Sequence, residues 1–182
     1  GLGDVYKRQV SQSYRAWELV LVDSSPADGV VVASAMAAGD ERIRVVPIAE
    51  NAGIVGNTNL GIDAARGDYI AFLDHDDLLE PDALFCYALE VVRDPVCSPE
   101  VLYCDEDLFE VAGVWRQPIF KTRLNVDLLY SHNCVTHFLC VSRELIDRIG
   151  MSPEDVAGAQ DYDLTLRALA AGARFTHVPR VL

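Results

Sequence analysis

The sequence predicts an α/β fold built on an open, mostly parallel central sheet flanked by helices. Three features carry that expectation. Apolar runs alternate with helical, small-residue segments through the first half of the chain. The runs are nearly continuous rather than alternating, which is the pattern of strands buried on both faces. The segments between them suit helical crossovers, which favours a doubly wound sheet over hairpins.

The elements run in order. Trp17 to Val22 reads as a strand ending at Asp23, and SSPADG as a turn. Val30 to Ala38 is helical in composition and stops at Gly39, and Arg42 to Ile48 is a second strand. Ile54 to Arg66 reads as a helix of small residues closed by Gly67. Tyr69 to Leu73 is a third strand. Pro81 suits the first position of the next helix, where Leu84, Ala88, Val91 and Val92 recur at helical spacing and define its buried face. The second half is less regular. Val101 to Cys104 is a strand running into Asp105, Glu106 and Asp107, and VAGVW a turn. Cys134 to Val141 reads as a strand, and Ser142 caps a helix that ends at Gly150. Asp161 to Ala171 is a helix with Leu164, Ala168 and Ala171 on one face, and Arg174 to Pro179 a last strand.

With 182 residues, 51% of them hydrophobic, the chain supports one domain with a sizeable core. A formal net charge of −13 argues against a nucleic-acid partner, because a phosphate backbone needs basic surface. Five cysteines, Cys86, Cys97, Cys104, Cys134 and Cys140, include no CxxC pair and read as reduced thiols in a reducing compartment. His132, Cys134, His137 and Cys140 cluster in sequence, but their spacings fit no common zinc site. No stretch has the length of a membrane span. GLGDVYKRQ joins poorly to the residues after it, so residues 1–9 are expected to be a non-native leader.

The chemistry gathers at strand ends. In open α/β sheets ligands bind beyond the carboxyl ends of the strands. Two successive apolar strands end there in aspartate, Asp23 and Asp74, and the second continues as Asp74-His75-Asp76-Asp77. A lone Asp more often starts a loop or caps a helix, and Asp77 is expected to do only that. Carboxylates packed this closely repel one another without a cation. Hard oxygen ligands suit Mg²⁺ or Mn²⁺, which complete their shells with phosphate and water. The D-x-D spacing at Asp74 and Asp76 therefore points to a metal–diphosphate clamp. His75 alternates away from it.

Five blocks together resemble a family 2 glycosyltransferase. The first is QSYRAWELVLVD with the SSPAD turn after it. The others are RVVPIAENAGIVGNTNLGIDAARGDYIAFLDHDDLLEPDAL, LYCDEDLFEVAGVWRQPIFK, GAQDYDLTLRAL and THVPRVL. The resemblance covers Ser11 to Leu182 and implies a GT-A fold and inverting transfer of a hexosyl or deoxyhexosyl group from a nucleotide-diphosphate sugar. It implies that Asp23 contacts the base, although the residues after Asp23 lack the second Asp and the Gly of the family's block. Asn51, Gly53 and Asn59 are expected to line the nucleotide-sugar pocket, Asp74 to lie near the ribose and at the metal, and Asp76 to bind the metal. Asp161 matches the catalytic aspartate, with Gln160 where Glu is usual. YCDED together with Phe120-Lys121 is similar to a subgroup that makes bacterial surface polysaccharides such as O-antigens. Asp105, Glu106 and Asp107 either contact acceptor or form a solvated loop.

The implied partners are the donor sugar nucleotide and a saccharide or lipid-linked acceptor, with Mn²⁺ or Mg²⁺ as cofactor. The implied setting is the cytosol, peripheral to a membrane that carries the acceptor. Residues 10–182 form one domain on this reading, a nucleotide-sugar half to about residue 107 and an acceptor half beyond it. The family's opening strand and a histidine beyond Leu182 that completes the metal site are expected to be missing, which would leave the piece weakly active or inactive. Three other readings compete. A nucleotidyltransferase would want a Gly-rich basic phosphate loop, and a D-x-D phosphatase would place the motif after its first strand. A glycan- or nucleotide-sugar-binding domain without turnover is the non-enzymatic alternative.

Overall fold

The computed structural model describes residues 8–24, 39–74, 77–109 and 115–182. The helix expected at Val30 to Ala38, most of the SSPADG and VAGVW turns, His75, Asp76 and residues 1–7 of the expected leader lie outside the described residues. Within that leader, Gln9 is buried.

Strands β1 (Leu19–Asp23) and β2 (Ile43–Pro47) pair in parallel, with Asp23 opposite Pro47. Helix α1 (Gly53–Ala64) returns against β1. Its first residue, Gly53, has φ +74°, a left-handed conformation that favours glycine, and its N–H donates to Asn51 Oδ1 at 2.9 Å.

The larger sheet holds β3 (Tyr69–Phe72), β4 (Val101–Phe109), β5 (Trp115–Ile119), β6 (Leu139–Ser142) and β7 (Phe175–Val181). β6 is antiparallel to both β3 and β4, so β3 and β4 run the same way, and β7 pairs with β4 in parallel. Three strands thus share one direction and a reversed strand is inserted between two of them. β5 extends the sheet from the far half of β4.

Side-chain alternation along the strands builds a core on each face. Leu102 and Cys104 of β4 and Cys140 of β6 meet Ala83, Cys86 and Tyr87 of helix α2 (Ala83–Arg93). Val101, Leu139 and Val141 face the other way. They meet Leu145 and Ile146 of α4 (Arg143–Ile149) and Leu164 and Ala168 of α5 (Gln160–Ala170). Helices on both faces are the layered arrangement that the apolar runs predicted. All five cysteines are free thiols.

Several boundaries differ from expectation. Helix α2 starts at Ala83, two residues past Pro81, whose carbonyl instead accepts the N–H of Ser13 at 2.8 Å. Its most buried residues are Ala83, Cys86 and Tyr87; Leu84 and Val91 of the expected face pack against the same core, while Val92 is 65% exposed and lies off it. Strand β6 begins at Leu139 rather than Cys134, because the residues before it are held at the sheet edge by side chains rather than by a strand ladder. A short helix, α3 (Val126–Ser131), was not expected; Asn125 caps it, accepting from the N–H of Leu128 at 3.1 Å. The Ser142 cap is present, with Leu145 N–H donating to its hydroxyl at 3.2 Å. Strand β4 continues through Asp105, Glu106 and Asp107, which rules out a solvated loop there.

Candidate functional site

The strand directions decide what meets. The carboxyl ends of β3 and β4 share an edge, and reversed β6 starts at that same edge. Helix α5 leads into β7 through a short turn, so its N-terminus also points there. One cleft is accordingly lined by Asn51, Gly53 and Asn57 around the start of α1, by Asp74 beyond β3, by His137 before β6 and by Asp161 on α5.

Asn51 shapes the start of α1. Its Oδ1 accepts from Gly53 N–H and from Asn57 Nδ2 at 3.0 Å, and Asn57 Oδ1 accepts from Ala52 N–H at 3.2 Å. Asn57 was not singled out in the sequence, although it shares a helical turn with Gly53. Asn59 is placed elsewhere: its Nδ2 donates to the Ser152 carbonyl at 3.0 Å, tying α1 to the loop before α5. Asp23 ends β1, where its carbonyl accepts from Ile48 N–H at 3.0 Å.

Asp161 is the second residue of α5, and the cap position belongs to Ala159. Helix capping therefore does not explain this aspartate. Its Oδ2 accepts from Asn133 Nδ2 at 3.0 Å and its Oδ1 from Tyr162 N–H at 2.9 Å. The half-buried carboxylate stands at the positive end of the helix dipole. Asp163, four residues before Arg167, is bonded to that guanidinium at 2.8 Å.

The D-x-D edge has a partner that sequence did not reveal. His137 Nδ1 lies 3.3 Å from Asp77 Oδ2 and 3.7 Å from Asp74 Oδ2. The hydrogen bond that its Nδ1–H donates to Asp77 raises the imidazole above its ordinary proton affinity. Burial opposes it, and the charges of Asp77, Asp74 and Glu106 add to it. Asp77 thus does more than lead into α2, contrary to the expectation for it. Ligand atoms of Asp74, Asp77 and His137 all lie within 4.8 Å of one another. Two carboxylate oxygens and an imidazole nitrogen fit a divalent ion such as Mn²⁺, which accepts both donor types. No spacing rule links His137 to Asp74; only the reversed direction of β6 brings them together.

The acidic run on β4 divides. Asp105 is 4% exposed and accepts from His177 Nε2 at 2.7 Å and from Lys121 N–H at 2.8 Å. Glu106 pairs with Lys121 Nζ at 3.0 Å. Asp105 is therefore part of the framework under the cleft rather than an acceptor contact.

The profile of the family described as glycosyl transferase family 2 matches residues 2–150. Protein y4gI of Sinorhizobium fredii is 38% identical over 176 residues, covering 94% of this chain and 19% of y4gI. O-antigen biosynthesis protein RfbC of Myxococcus xanthus is 37% identical over 175 residues, covering 94% of this chain and 14% of RfbC. The chain thus spans less than a fifth of either relative. Among solved structures, S. aureus TarS 1–349 superposes with a TM-score of 0.78 at 20% identity, over 99% of this chain and 55% of TarS. Mannosyltransferase PcManGT from Pyrobaculum calidifontis, in complex with GDP-Man and Mn²⁺, superposes with a TM-score of 0.72 at 21% identity, over 99% of this chain and 51% of its own. These likenesses give the chain the GT-A fold.

Proposed function

Because the chain belongs to glycosyl transferase family 2, we propose that its cleft binds a nucleotide-diphosphate sugar and transfers the sugar, with inversion, to a saccharide or lipid-linked acceptor in cell-surface polysaccharide synthesis. The observation that carries this reading is that Asp74 and Asp161, from elements far apart in sequence, both line one cleft. The name of RfbC supports the polysaccharide setting, and the UDP and GDP-Man complexes of TarS and PcManGT support a nucleotide-sugar donor.

Inverting transfer needs one general base on the acceptor side. Asp161 takes that role: Asn133 and Tyr162 each hold one carboxylate oxygen, which fixes its direction toward an incoming hydroxyl. Asn51 and Gly53 shape the wall at the start of α1, and Asp23 meets the base. A divalent cation bound at the Asp74 edge, which the D-x-D spacing extends to Asp76 in sequence, would neutralise the diphosphate and stabilise it as it leaves. Without such an ion the acidic edge would repel the donor.

Calorimetry with UDP-, GDP- and dTDP-sugars, with and without Mn²⁺, tests the reading. Metal-dependent binding that disappears in Asp76→Ala is expected. Metal-independent binding, unchanged in that variant, would reject it.

A further inference from the structure

The CDED segment of β4 and the Phe120-Lys121 pair, separate motifs in the sequence, form one network beside the cleft. Lys121 is an ammonium whose side chain is only 6% exposed. It has three N–H donors, and three acceptors receive them: Glu106 Oε2 at 3.0 Å, the His137 carbonyl at 2.9 Å and the Thr136 carbonyl. Glu106 Oε2 also accepts from the His137 N–H at 2.6 Å. The lysine backbone is itself pinned to Asp105, which is bonded to His177. A buried ion pair is a weak source of net stability, since desolvation offsets its attraction. It is a strong source of fixed geometry, and here what it fixes is the backbone that carries His137.

We propose that Lys121 and Glu106 are positioning residues of the donor site, clamping the Thr136–His137 backbone so that His137 Nδ1 closes with Asp74 and Asp77 on one divalent cation. This rests on reading the cleft as the nucleotide-sugar site. It gives the site an imidazole ligand from within the chain, and it gives the lysine of the Phe120-Lys121 pair a task that neither substrate contact nor core packing supplies.

Mn²⁺ alone is the probe, followed by EPR on the 182-residue chain. The wild type should bind Mn²⁺ with a ¹⁴N modulation from an imidazole in pulsed spectra. His137→Gln should lose the modulation and bind about tenfold more weakly. Lys121→Met should do the same, and the double variant should bind no more weakly than His137→Gln alone. Glu106→Gln, which keeps the side chain's size, carries the same test if Lys121→Met fails to fold. Full affinity and intact modulation in both Lys121→Met and Glu106→Gln would overturn the proposal, as would losses that multiply in the double variant. Mn²⁺ binding lost in Asp74→Ala but unaffected by Asp76→Ala would instead reject the donor-site reading, and binding unaffected by Asp74→Ala would overturn both. Absence of saturable Mn²⁺ binding by the wild type would overturn both.

Discussion

Asn133 donates from Nδ2 to Oδ2 of Asp161 at 3.0 Å, linking the segment after α3 to the start of α5. The bond orients a carboxylate that no helix cap accounts for. Asp161→Asn keeps the shape and removes the base, so the transfer rate should fall by about 10² to 10⁴ with donor affinity little changed. Asn133→Ala should leave Asp161 ionisable but misdirected, with a loss of about tenfold. Transfer rates set beside calorimetric donor affinity check both. An Asp161→Asn variant of normal rate would remove this residue from the mechanism.

The start of α1 depends on a left-handed glycine. Gly53→Ala meets no atom within 4 Å, so its cost is conformational strain alone, about 1 to 2 kcal/mol in urea unfolding. Asn51→Ala removes the acceptor of two hydrogen bonds at the same turn and should weaken donor binding more than stability.

Asp105 and Asp107 should respond differently. Asp105→Ala leaves the His177 ring and the Lys121 N–H without their buried acceptor and should cost about 3 kcal/mol. Asp107→Ala, at a partly exposed position of the same strand, should change stability by less than about 0.5 kcal/mol. Paired thermal melts read the difference, and equal effects would contradict a framework role for Asp105.

Glu100 supplies a pH-dependent contribution. Burial alone would raise its carboxyl. The Arg174 N–H at 3.0 Å and the Arg148 guanidinium at 2.8 Å outweigh that and hold it below its ordinary value. A depressed carboxylate stabilises the fold above its unfolded value, near 4.5 here, and loses that contribution as pH falls through the folded value. Glu100→Gln should therefore cost about 2 kcal/mol at pH 7, and the gap from wild type should narrow as pH falls below the unfolded value near 4.5. A gap that widens in acid would reverse the assignment.

Leu102 is fully buried where β4 runs between β6 and β7. Leu102→Ala should cost about 3 kcal/mol, through lost burial and the cavity left behind. Val92→Ala, on the exposed side of α2, should be nearly neutral. Urea midpoints measured side by side read the difference, and an equal loss from Val92→Ala would contradict its exposed position.

The sequence by itself determined the α/β class, because apolar runs buried on both faces and their helical crossovers leave a local pattern. It also determined that aspartates stand at strand ends, with Asp74 leading an acidic cluster in sequence, and that Asp161 opens a helix. Tertiary structure decided the rest. How far the buried face of α2 extends could not be read: Leu84 and Val91 pack on the core as expected, but Val92 turns to solvent, and helical spacing alone does not say how far the sheet reaches around the helix. The partnership of His137 with Asp74 and Asp77 depends on the reversal of β6, which is set by which strands pair rather than by any local residue choice. The role of the CDED segment turned on Lys121 being folded inward beside it, since the same carboxylates facing solvent would have formed an ordinary polar surface. Local sequence specifies elements through backbone geometry and side-chain periodicity. Contacts between distant elements are fixed only when the whole sheet buries its two faces at once.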